Sequence, residues 1–506
     1  MKKNTVRMSI TRIARRFFAP RWRELERHEN EAEELQRQVL SRLVSRAKDT
    51  EYGRYHRFGD MKTYEDFVHN NPVNTYEELK GQIDRMRQGE ADVLWPGSVK
   101  WYAKSSGTTN DKSKFIPVSE EGLKRLHYKG GSDVVAIYLR NNPRSILFDG
   151  RGLILGGSHQ PNYNQPNSLV GDLSAILIEN INPIVNLFRV PSKETALLSD
   201  FEVKRDRIAR EAMTKNVTNL SGVPSWMLSV LNRVMELSGK THLEEVWPNL
   251  EVFFHGGVAF TPYREQYKQL ITSPKMHYME TYNASEGFFG IQDNPADKSM
   301  LLMLDYDVFY EFQELSDESN IVPLWGVEKG KNYAMIISTS CGLWRYMLGD
   351  TVQFTSTNPY KFIISGRTKS FINAFGEELI VDNAEQGLAY ACQETGAQVL
   401  EYTAAPVFMD AHAKCRHQWL IEFSTPPEDL TRFARLLDAR LQELNSDYEA
   451  KRYKDITLQH LEIIPARKDL FNDWLKSKNK LGGQHKVPRL SNERTILEQL
   501  LLLNEE

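Results

Sequence analysis

The chain has 506 residues, of which 41% are hydrophobic, and a formal net charge of −3 at pH 7. This length exceeds the size at which a single core keeps growing, so we expect two or more domains. The nearly balanced charge excludes a general attraction of the whole molecule to nucleic acid or to membranes. A small molecule is therefore the expected partner, with no nucleic acid.

Three cysteines, Cys341, Cys392 and Cys415, are scattered through the sequence without metal-ligand spacing. This usage is typical of reduced thiols in the cytoplasm. No apolar run approaches the ~20 residues that a transmembrane helix needs, so we expect a soluble protein with no stable membrane insertion. The sequence carries no obvious assembly signature, and a monomer is expected.

The N-terminus predicts a basic amphipathic helix. Residues 1–23 carry eight basic side chains and no acidic one, together with apolar Ile13, Phe17 and Phe18. Such a helix fits a transit peptide, a membrane-surface helix or a helix packed against the rest of the protein. It runs directly into residues 24–46, an acid- and base-rich helical pattern, which favours the packed helix.

Helical and strand patterns alternate along most of the chain. Spacing and short apolar runs predict helices at residues 31–47, 75–87 and 262–270 and strands at residues 99–103, 153–155, 251–254, 333–338 and 362–365. The last two strands flank a predicted turn at residues 345–350. Alternating strands and helices indicate an α/β fold, with a mixed or parallel sheet covered by helices.

The pattern restarts after a short polar stretch, which predicts two domains, residues 1–366 and residues 367–506. In the second domain, alternation at residues 419–423 predicts a strand, and the spacing at residues 428–445 predicts a helix. The basic, glycine-containing residues 476–489 predict a mobile loop.

The first candidate site motif follows the predicted strand at residues 99–103 and consists of Ser105, Ser106, Gly107, Thr108, Thr109 and Lys114. Hydroxyls and backbone N–H groups donate to phosphate oxygens, glycine lets the backbone approach closely, and lysine neutralises charge. A solvated Ser/Thr turn fits the same residues. No glycine directly precedes Lys114, so the motif is not a Walker A loop.

The second motif lies at residues 281–287, in a predicted loop after a strand-like run. The ring of Tyr282 could stack on a base, and Glu286 could hold Mg²⁺ through oxygen ligation. Equally, Ser285 and Glu286 could cap a short element.

The third motif is Gly349-Asp350, with Arg367 a short distance later. An aspartate that follows a glycine could accept hydrogen bonds from both ribose hydroxyls, and Arg367 could add a donor. A turn with a surface salt bridge is the alternative interpretation. Zinc-protease, nucleophile-elbow and dinucleotide-binding motifs are all missing from the sequence, which removes their usual support.

In this order, the three motifs resemble the adenylate-forming superfamily of acyl-CoA synthetases, adenylation domains and luciferases. The chain is more narrowly similar to the Gretchen Hagen family of acyl acid amido synthetases, in segments at residues 76–79, 105–114, 222–226, 282–286, 342–350 and 483–489. Family patterns often carry a second glycine in the first motif, where this chain has Asn110-Asp111. The resemblance covers nearly the whole chain.

The resemblance implies a large N-terminal adenylate-forming domain with mixed sheets and helices and a smaller, mobile α+β C-terminal domain. It implies ATP-dependent activation of a carboxylic acid to an acyl-adenylate, with Mg²⁺ as the metal. Transfer to an amine, expected to be an amino acid, then forms an amide and releases AMP; pyrophosphate leaves in the first step. The implied partners are thus a small carboxylic acid and an amino acid.

The resemblance also implies roles for single residues. The ATP- and AMP-binding residues would be Ser105, Ser106, Gly107, Thr108, Thr109, Tyr282, Ser285, Asp350 and Arg367. Within this set Tyr282 would lie along the adenine, and Asp350 with Arg367 would bind the ribose. The catalytic residues would be Lys114, Glu286 as the Mg²⁺ ligand, and Lys486.

Lys486 would be delivered to the adenylation site by a swing of the C-terminal domain, whereas a basic surface loop is the alternative interpretation. The acid pocket would include Val223, Trp226 and Val258, although Trp226 could equally be a core residue.

Two other functions stay open at this stage. An acyl-CoA ligase shares the adenylation step and differs in using a thiol acceptor, so the motif residues do not separate it from an amido synthetase. A non-catalytic nucleotide-binding protein could retain the same fold. Pyrophosphate release on mixing with ATP and an acid would separate catalysis from binding, and use of an amine or of coenzyme A would separate the two enzymes.

Overall fold

The computed structural model describes residues 9–105, 114–257, 260, 263–367, 371–372, 377, 379–407, 415–445, 448–449, 452, 458–478, 486–491 and 493–505. Its α-helices are α1 (Ile10–Asn30), α2 (Ala32–Ala47), α3 (Glu51–Tyr55), α4 (Tyr64–Asn70), α5 (Tyr76–Arg87), α6 (Glu120–Gly122), α7 (Lys129–Asn141), α8 (Leu173–Glu179), α9 (Pro183–Asn186), α10 (Lys193–Ala196), α11 (Phe201–Met213), α12 (Pro224–Ser238), α13 (Arg264–Leu270), α14 (Val381–Thr395), α15 (Leu430–Leu444), α16 (Leu470–Ser477) and α17 (Thr495–Glu505).

The strands are β1 (Trp101–Ser105), β2 (Lys114–Val118), β3 (Arg151–Ile154), β4 (Leu169–Gly171), β5 (Arg189–Val190), β6 (Val217–Gly222), β7 (Val252–Gly256), β8 (His277–Ala284), β9 (Gly287–Ile291), β10 (Met300–Leu302), β11 (Val308–Glu314), β12 (Ile321–Pro323), β13 (Asn332–Thr339), β14 (Tyr346–Thr357), β15 (Tyr360–Arg367), β16 (Phe371–Ile372), β17 (Leu379–Ile380), β18 (Gln398–Val407), β19 (Arg416–Thr425) and β20 (Glu462–Ala466).

One large sheet organises the first part of the chain. Its strand order is β12-β11-β13-β14-β15-β10-β9-β8-β7-β6-β3-β5. Neighbouring strands from β8 to β5 are parallel, and the ladders from β12 to β8 are antiparallel. The strand β8 therefore joins a parallel half to an antiparallel half.

Both faces of this sheet are covered by apolar side chains. Along β7, Val252 and Phe254 belong to one buried cluster and Phe253 to another, because alternate side chains of a strand point to opposite faces. A separate small sheet, β2-β1-β4, lies beside it.

The C-terminal part forms its own sheet, β18-β19-β20, with helices α14 and α15 in contact with each other. Its apolar clusters include Trp419 and Phe433 in one and Phe471 and Trp474 in another. The predicted α/β class, with mixed sheets and a smaller α+β C-terminal part, is confirmed. The boundary between residues 366 and 367 and the mobility of the second domain stay predictions.

Most of the predicted elements form where the periodicity placed them. Helices α2 and α5 match the predicted residues 31–47 and 75–87, and α5 begins with a capping box formed by Thr75 and Glu78. The predicted strands at residues 153–155, 251–254, 333–338 and 362–365 correspond to β3, β7, β13 and β15.

Two predicted non-regular segments are strands instead. Tyr282 lies inside β8, and the predicted turn at residues 345–350 is largely the start of β14. Gly349 has φ of 90°, and the register with β13 shifts at this point. The glycine thus serves a bulge inside a paired strand, because cross-strand pairing on both sides overrides its preference for turns.

The basic N-terminal segment forms α1, which packs against the rest of the protein. Nε1 of Trp22 donates to the Ala136 carbonyl at 2.8 Å, and Arg21 forms ion pairs with Asp133 and Asp305. The packed helix predicted from the sequence is confirmed for residues 10–30. Among the described residues, the helices are too short or too polar to cross a membrane.

Candidate active site

A large cleft lies at the carboxyl ends of the parallel strands β6, β7 and β8. Its volume is about 2580 Å³, and its wall includes residues from both parts of the chain, such as Tyr282 and Lys486. Ligands of open α/β sheets bind outside the carboxyl ends of the strands. This cleft is therefore the candidate active site.

The cleft collects the sequence-predicted residues whose side chains are described. They are Ser105, Lys114, Val223, Trp226, Tyr282, Ser285, Glu286, Asp350 and Lys486. Ser106, Gly107, Thr108, Thr109 and Val258 lie outside the described residues. Arg367 ends β15, and its Cα is the direct partner of Asp350 in the antiparallel ladder with β14.

Tyr282 and Asp350 meet across the sheet. The hydroxyl of Tyr282 donates to Oδ2 of Asp350 at 2.5 Å, and both side chains are buried. Tyr282 comes from β8 and Asp350 from the bulge of β14, so the contact depends on the strand order of the large sheet. It orients a carboxylate at the cleft wall, where that carboxylate could accept hydrogen bonds from a ligand.

The ends of the first motif are held next to each other. Ser105 and Lys114 are Cα partners in the ladder of β1 with β2. Nζ of Lys114 donates to the hydroxyl of Tyr346 at 3.4 Å and lies 5.9 Å from the ring centroid of Tyr76. The lysine is thus placed at the cleft between two aromatic side chains, neither of which the sequence identified as a site residue.

Ser285 and Glu286 form the two-residue turn between β8 and β9. Both side chains are buried and line the cleft. Burial, together with the negative charge of Glu286, raises the pKa of Tyr346 well above its ordinary value. Tyr346 is therefore a neutral hydroxyl between Glu286 and Lys114.

The carboxylate of Glu286 suits a divalent cation that binds together with a nucleotide. The described part of the chain contains no cluster of three or more His, Cys, Asp or Glu side chains that could hold a metal alone. Mg²⁺ needs only one or two carboxylates where phosphate oxygens and water complete its octahedral shell. Glu286, whose negative charge contributes to the raised pKa of Tyr346, would be the oxygen donor from the protein.

A second group of titratable residues, His255, Glu280 and Arg264, lines the same cleft. His255 and Glu280 are Cα partners in the parallel ladder of β7 with β8. Burial raises the pKa of Glu280 to about 7, and burial with the nearby charge of Arg264 lowers the pKa of His255 to about 3. Both side chains are therefore largely uncharged near pH 6.

His255 is also fixed by an aromatic contact. Its ring lies 4.2 Å from that of Phe260, nearly parallel, and its buried Nδ1 has no hydrogen-bond partner among the described residues. No local motif in the sequence marks this group, because a strand register brings His255 beside Glu280.

The predicted acid-pocket residues lie at the start of α12. Val223 is the N-cap residue of that helix, and Trp226 is half-buried. Trp226 lines the cleft and also packs against the apolar cluster that contains Phe253. One side of the Trp226 side chain therefore faces the cleft, and another packs in the core.

Lys486 is presented by a short anchored segment of the C-terminal part. Its side chain is exposed, whereas the next residue, Val487, is buried. The Pro488 carbonyl accepts a hydrogen bond from Oγ1 of Thr403 at 2.6 Å, and the Arg489 carbonyl accepts one from the Ala404 N–H at 2.8 Å. The lysine therefore reaches the cleft from a backbone tied to β18.

Three family models match the chain in order. They are the GH3 family N-terminal domain at residues 21–276, the GH3 family central domain at residues 301–367 and the GH3 family C-terminal domain at residues 382–495. The chain belongs to the GH3 family. This confirms the resemblance that the motifs indicated.

Curated GH3 relatives match along nearly the whole chain. The indole-3-acetic acid-amido synthetase GH3.3 of Arabidopsis thaliana is 25% identical over 92% of this chain and 90% of its own length. GH3.4 of the same plant, also an indole-3-acetic acid-amido synthetase, is 22% identical over the same shares. The predicted enzyme class, an amido synthetase, is confirmed by this family membership.

Solved structures show the same fold. The GH3.15 acyl acid amido synthetase superposes with a TM-score of 0.78 at 19% identity, covering 95% of each chain. A 2-hydroxyisobutyryl-CoA ligase in its postadenylation state superposes with a TM-score of 0.58 at 11% identity, covering 95% of this chain and 94% of its own. The fold is therefore that of GH3 and of adenylate-forming enzymes more widely.

Proposed function

We propose that this chain uses ATP to activate a small carboxylic acid and transfers the acyl group to an amino acid. The observation that carries the proposal is the convergence of Lys114, Glu286, Asp350 and Lys486 on one cleft from both parts of the chain. Family membership supports the reaction type.

The reaction has two balanced steps. In the first, a carboxylate oxygen of the acid attacks the α-phosphorus of ATP; the new C–O–P link forms as the bond to pyrophosphate breaks. In the second, the amine nitrogen attacks the acyl carbon, the C–N bond forms, the bond to AMP breaks and a proton leaves the nitrogen. Both steps develop negative charge on oxygen, so positioned cations and hydrogen-bond donors lower both barriers.

The residues divide this work by their places in the cleft. Lys114 at the phosphate end offsets charge on the transferred group, with Ser105 as a hydroxyl donor. Tyr282 packs along the adenine and orients Asp350, which accepts from the ribose hydroxyls. We assign Ser285 to the nucleotide as well, together with Ser106, Gly107, Thr108, Thr109 and Arg367 by the family resemblance.

Mg²⁺ would be held by Glu286 and by phosphate oxygens of the nucleotide. When bound, it supplies positive charge that offsets the phosphates. Lys486 adds a second cation from the C-terminal part, and its exposed position on an anchored segment suits a group that acts in one step and withdraws in the other.

The acid would lie against Val223 and Trp226, with Val258 as a third wall by resemblance. Relatives suggest the chemical class: GH3.3 is named for indole-3-acetic acid, and GH3.15 was solved in complex with 2,4-DB. We therefore propose an acid with an apolar or aromatic body. We further propose that the enzyme works in the cytoplasm as a monomer.

The test is to incubate the protein with ATP, Mg²⁺, a library of carboxylic acids and mixed amino acids, following pyrophosphate release and product masses. Acid-dependent pyrophosphate with a new amide mass supports the proposal. If pyrophosphate is released but a product forms only when coenzyme A is added, the protein is an acyl-CoA ligase. The 2-hydroxyisobutyryl-CoA ligase, which has the same fold, is an enzyme of that kind. Nucleotide binding with no pyrophosphate from any acid would indicate a binding protein.

The Glu286 assignment has its own test. In Glu286→Gln, pyrophosphate release should need a much higher Mg²⁺ concentration, because a neutral amide is a poorer ligand for a hard cation. Glu318→Gln, in an exposed turn, is the matched control. An unchanged Mg²⁺ requirement in Glu286→Gln would remove the metal assignment.

A further inference from the structure

Apolar side chains are exposed along one face of α1. Ile10, Ile13 and Phe17 lie at spacings of three and four residues, so they share a face, and Phe17 is 79% exposed. Further along the same side of the helix, Arg21 pairs with Asp133 and Asp305, and Leu25 and His28 are buried. The C-terminal half of the helix is therefore packed, whereas the N-terminal half leaves an apolar stripe on the surface.

A second exposed apolar group lies close to this stripe. Ile184 and Val185 in α9 and the following Leu187 are exposed, Ile184 by 68% and Leu187 by 64%. Large apolar side chains that are exposed together usually mark a contact surface.

Aromatic contacts connect the two groups. The ring of Phe18 stacks on Phe148 with centroids 6.4 Å apart, and Phe148 meets Phe188 edge to face at 5.7 Å. The backbone N–H of Ile10 also donates to Asp149 at 2.7 Å. These contacts place the N-terminal half of α1 next to the segment that carries α9, and we call the exposed apolar residues of the two segments the α1–α9 face.

Residues 10–23 of α1, which carry the stripe, include basic side chains and no acidic one. Arg12, Arg16 and Arg23 are exposed on α1 and form no ion pair with a described residue. The first acidic side chain of the sequence is Glu24, and three more basic residues precede the helix at positions 2, 3 and 7. Apolar residues flanked by arginines are typical of a helix that lies in the interface of an anionic membrane.

We propose that the α1–α9 face docks on an anionic lipid surface. Apolar side chains enter the headgroup boundary, and the flanking arginines pair with lipid phosphates. A second copy of the chain fits less well, because a symmetric contact would bring the same arginines together, and residues 10–23 of α1, which carry the stripe, have no acidic side chain to pair with them. The proposal goes beyond the amide-forming reaction and does not depend on it.

Docking would also orient the active site. Phe18, Val185 and Phe188, which border or belong to the α1–α9 face, line the cleft as well. A bilayer beneath this face would lie against the cleft wall, where an acid with an apolar body could leave the membrane.

The test measures co-sedimentation of the full-length protein with vesicles of phosphatidylcholine, alone or mixed with phosphatidylglycerol. We expect binding to the mixed vesicles and about tenfold weaker binding to phosphatidylcholine alone. The double variant Phe17→Ser/Ile184→Ser should lose about tenfold in binding, and Arg12→Glu/Arg16→Glu should lose the preference for anionic lipid. These side chains are exposed, so thermal unfolding and adenylation should match the wild type.

The control is Leu502→Ser, the same kind of change at a residue that is 67% exposed in α17, away from the face. It should bind vesicles like the wild type. Absence of binding by the wild type, equal binding by Phe17→Ser/Ile184→Ser, or an equal loss in Leu502→Ser would overturn the proposal. A dimer in sedimentation equilibrium that Phe17→Ser/Ile184→Ser dissociates, without vesicle binding, would assign the face to a second copy instead.

Discussion

At the scale of single residues, the contact between Tyr282 and Asp350 links the fold most directly to the proposed nucleotide site. The Tyr282 hydroxyl holds the Asp350 carboxylate, and Arg367 is the Cα partner of Asp350 on the neighbouring strand. Removing the charge of Asp350 and removing the Tyr282 hydroxyl should have different effects on activity, so substitutions can test the pair.

Asp350→Asn should lower kcat/KM for ATP by about 10- to 100-fold, because hydrogen bonds to a charged acceptor are replaced by weaker ones. Tyr282→Phe should cost less, since the carboxylate stays. Pyrophosphate release at varied ATP concentration measures both. If Tyr282 acts through Asp350, the double variant should be no worse than Asp350→Asn alone; additive losses would separate their roles.

Glu280 gives a prediction on pH and stability. Burial raises its pKa in the folded protein to about 7, against an ordinary value of 4.5, so the folded state holds the proton more tightly. Its contribution to the free energy of unfolding is therefore greatest below pH 4.5 and falls as the pH rises to about 7.

Urea unfolding at pH 5 and pH 8 checks this prediction. Relative to the wild type, Glu280→Gln should gain stability at pH 8, because it removes a partly buried charge there and keeps a neutral side chain at both pH values. Glu265→Gln, on the surface of α13, should show no such difference between the two pH values. A constant difference between wild type and Glu280→Gln at both pH values would contradict the shifted pKa.

At the scale of elements, a buried ion pair holds several of them together behind the site. The guanidinium of Arg345 donates to Glu311 of β11 at 2.9 Å and to the Asn71 carbonyl at 2.7 Å. Tyr64 donates to the same carboxylate at 2.9 Å. Arg345 directly precedes β14, so this network fixes the start of the strand that carries Asp350.

Arg345→Met should lower the free energy of unfolding by about 3–5 kcal/mol, because it leaves Glu311 buried without its cation. Chemical denaturation measures the loss. Arg57→Met, which removes an exposed pair with Asp60, is the control and should change little. Arg345→Met/Glu311→Leu should recover much of the loss; no recovery would mean that packing, rather than charge, dominates at Arg345.

The elements also show what the sequence could and could not predict. Helices α2 and α5 follow from apolar spacing, and the candidate roles of Lys114, Glu286 and Asp350 follow from local motifs. The placement of Tyr282 within a strand did not follow, nor did the pairing of His255 with Glu280. Register and sheet order decide both, and neither leaves a signal in a short window of sequence.

At the scale of the whole molecule, the cleft is completed only where the two parts of the chain meet. The candidate nucleotide and acid residues come from the large sheet, the small sheet and α12, and the C-terminal part provides Lys486. If Lys486 acts in only one of the two steps, its removal should slow that step and leave the rate of the other unchanged.

Lys486→Ala should slow acid-dependent pyrophosphate release by about 10²–10³-fold, as expected for one positioned donor to a developing charge. Amide formation from an acyl-adenylate supplied directly should change little. Lys478→Ala is the matched control, since that lysine lies near the Trp474 ring outside the cleft wall. Equal slowing of both steps would place Lys486 in the structure of the cleft rather than in adenylation.

The position of β8 between the parallel and antiparallel halves of the sheet has a consequence for how this enzyme could diversify. Candidate acid contacts at Val223 and Trp226 lie on the parallel side, whereas Asp350 and Arg367 belong to antiparallel strands. Under the proposed assignments, mutation and selection would alter the accepted acid without passing through variants that have lost the binding of ATP. A new substrate would then be reachable by single substitutions, each of which would leave a working nucleotide site for the next.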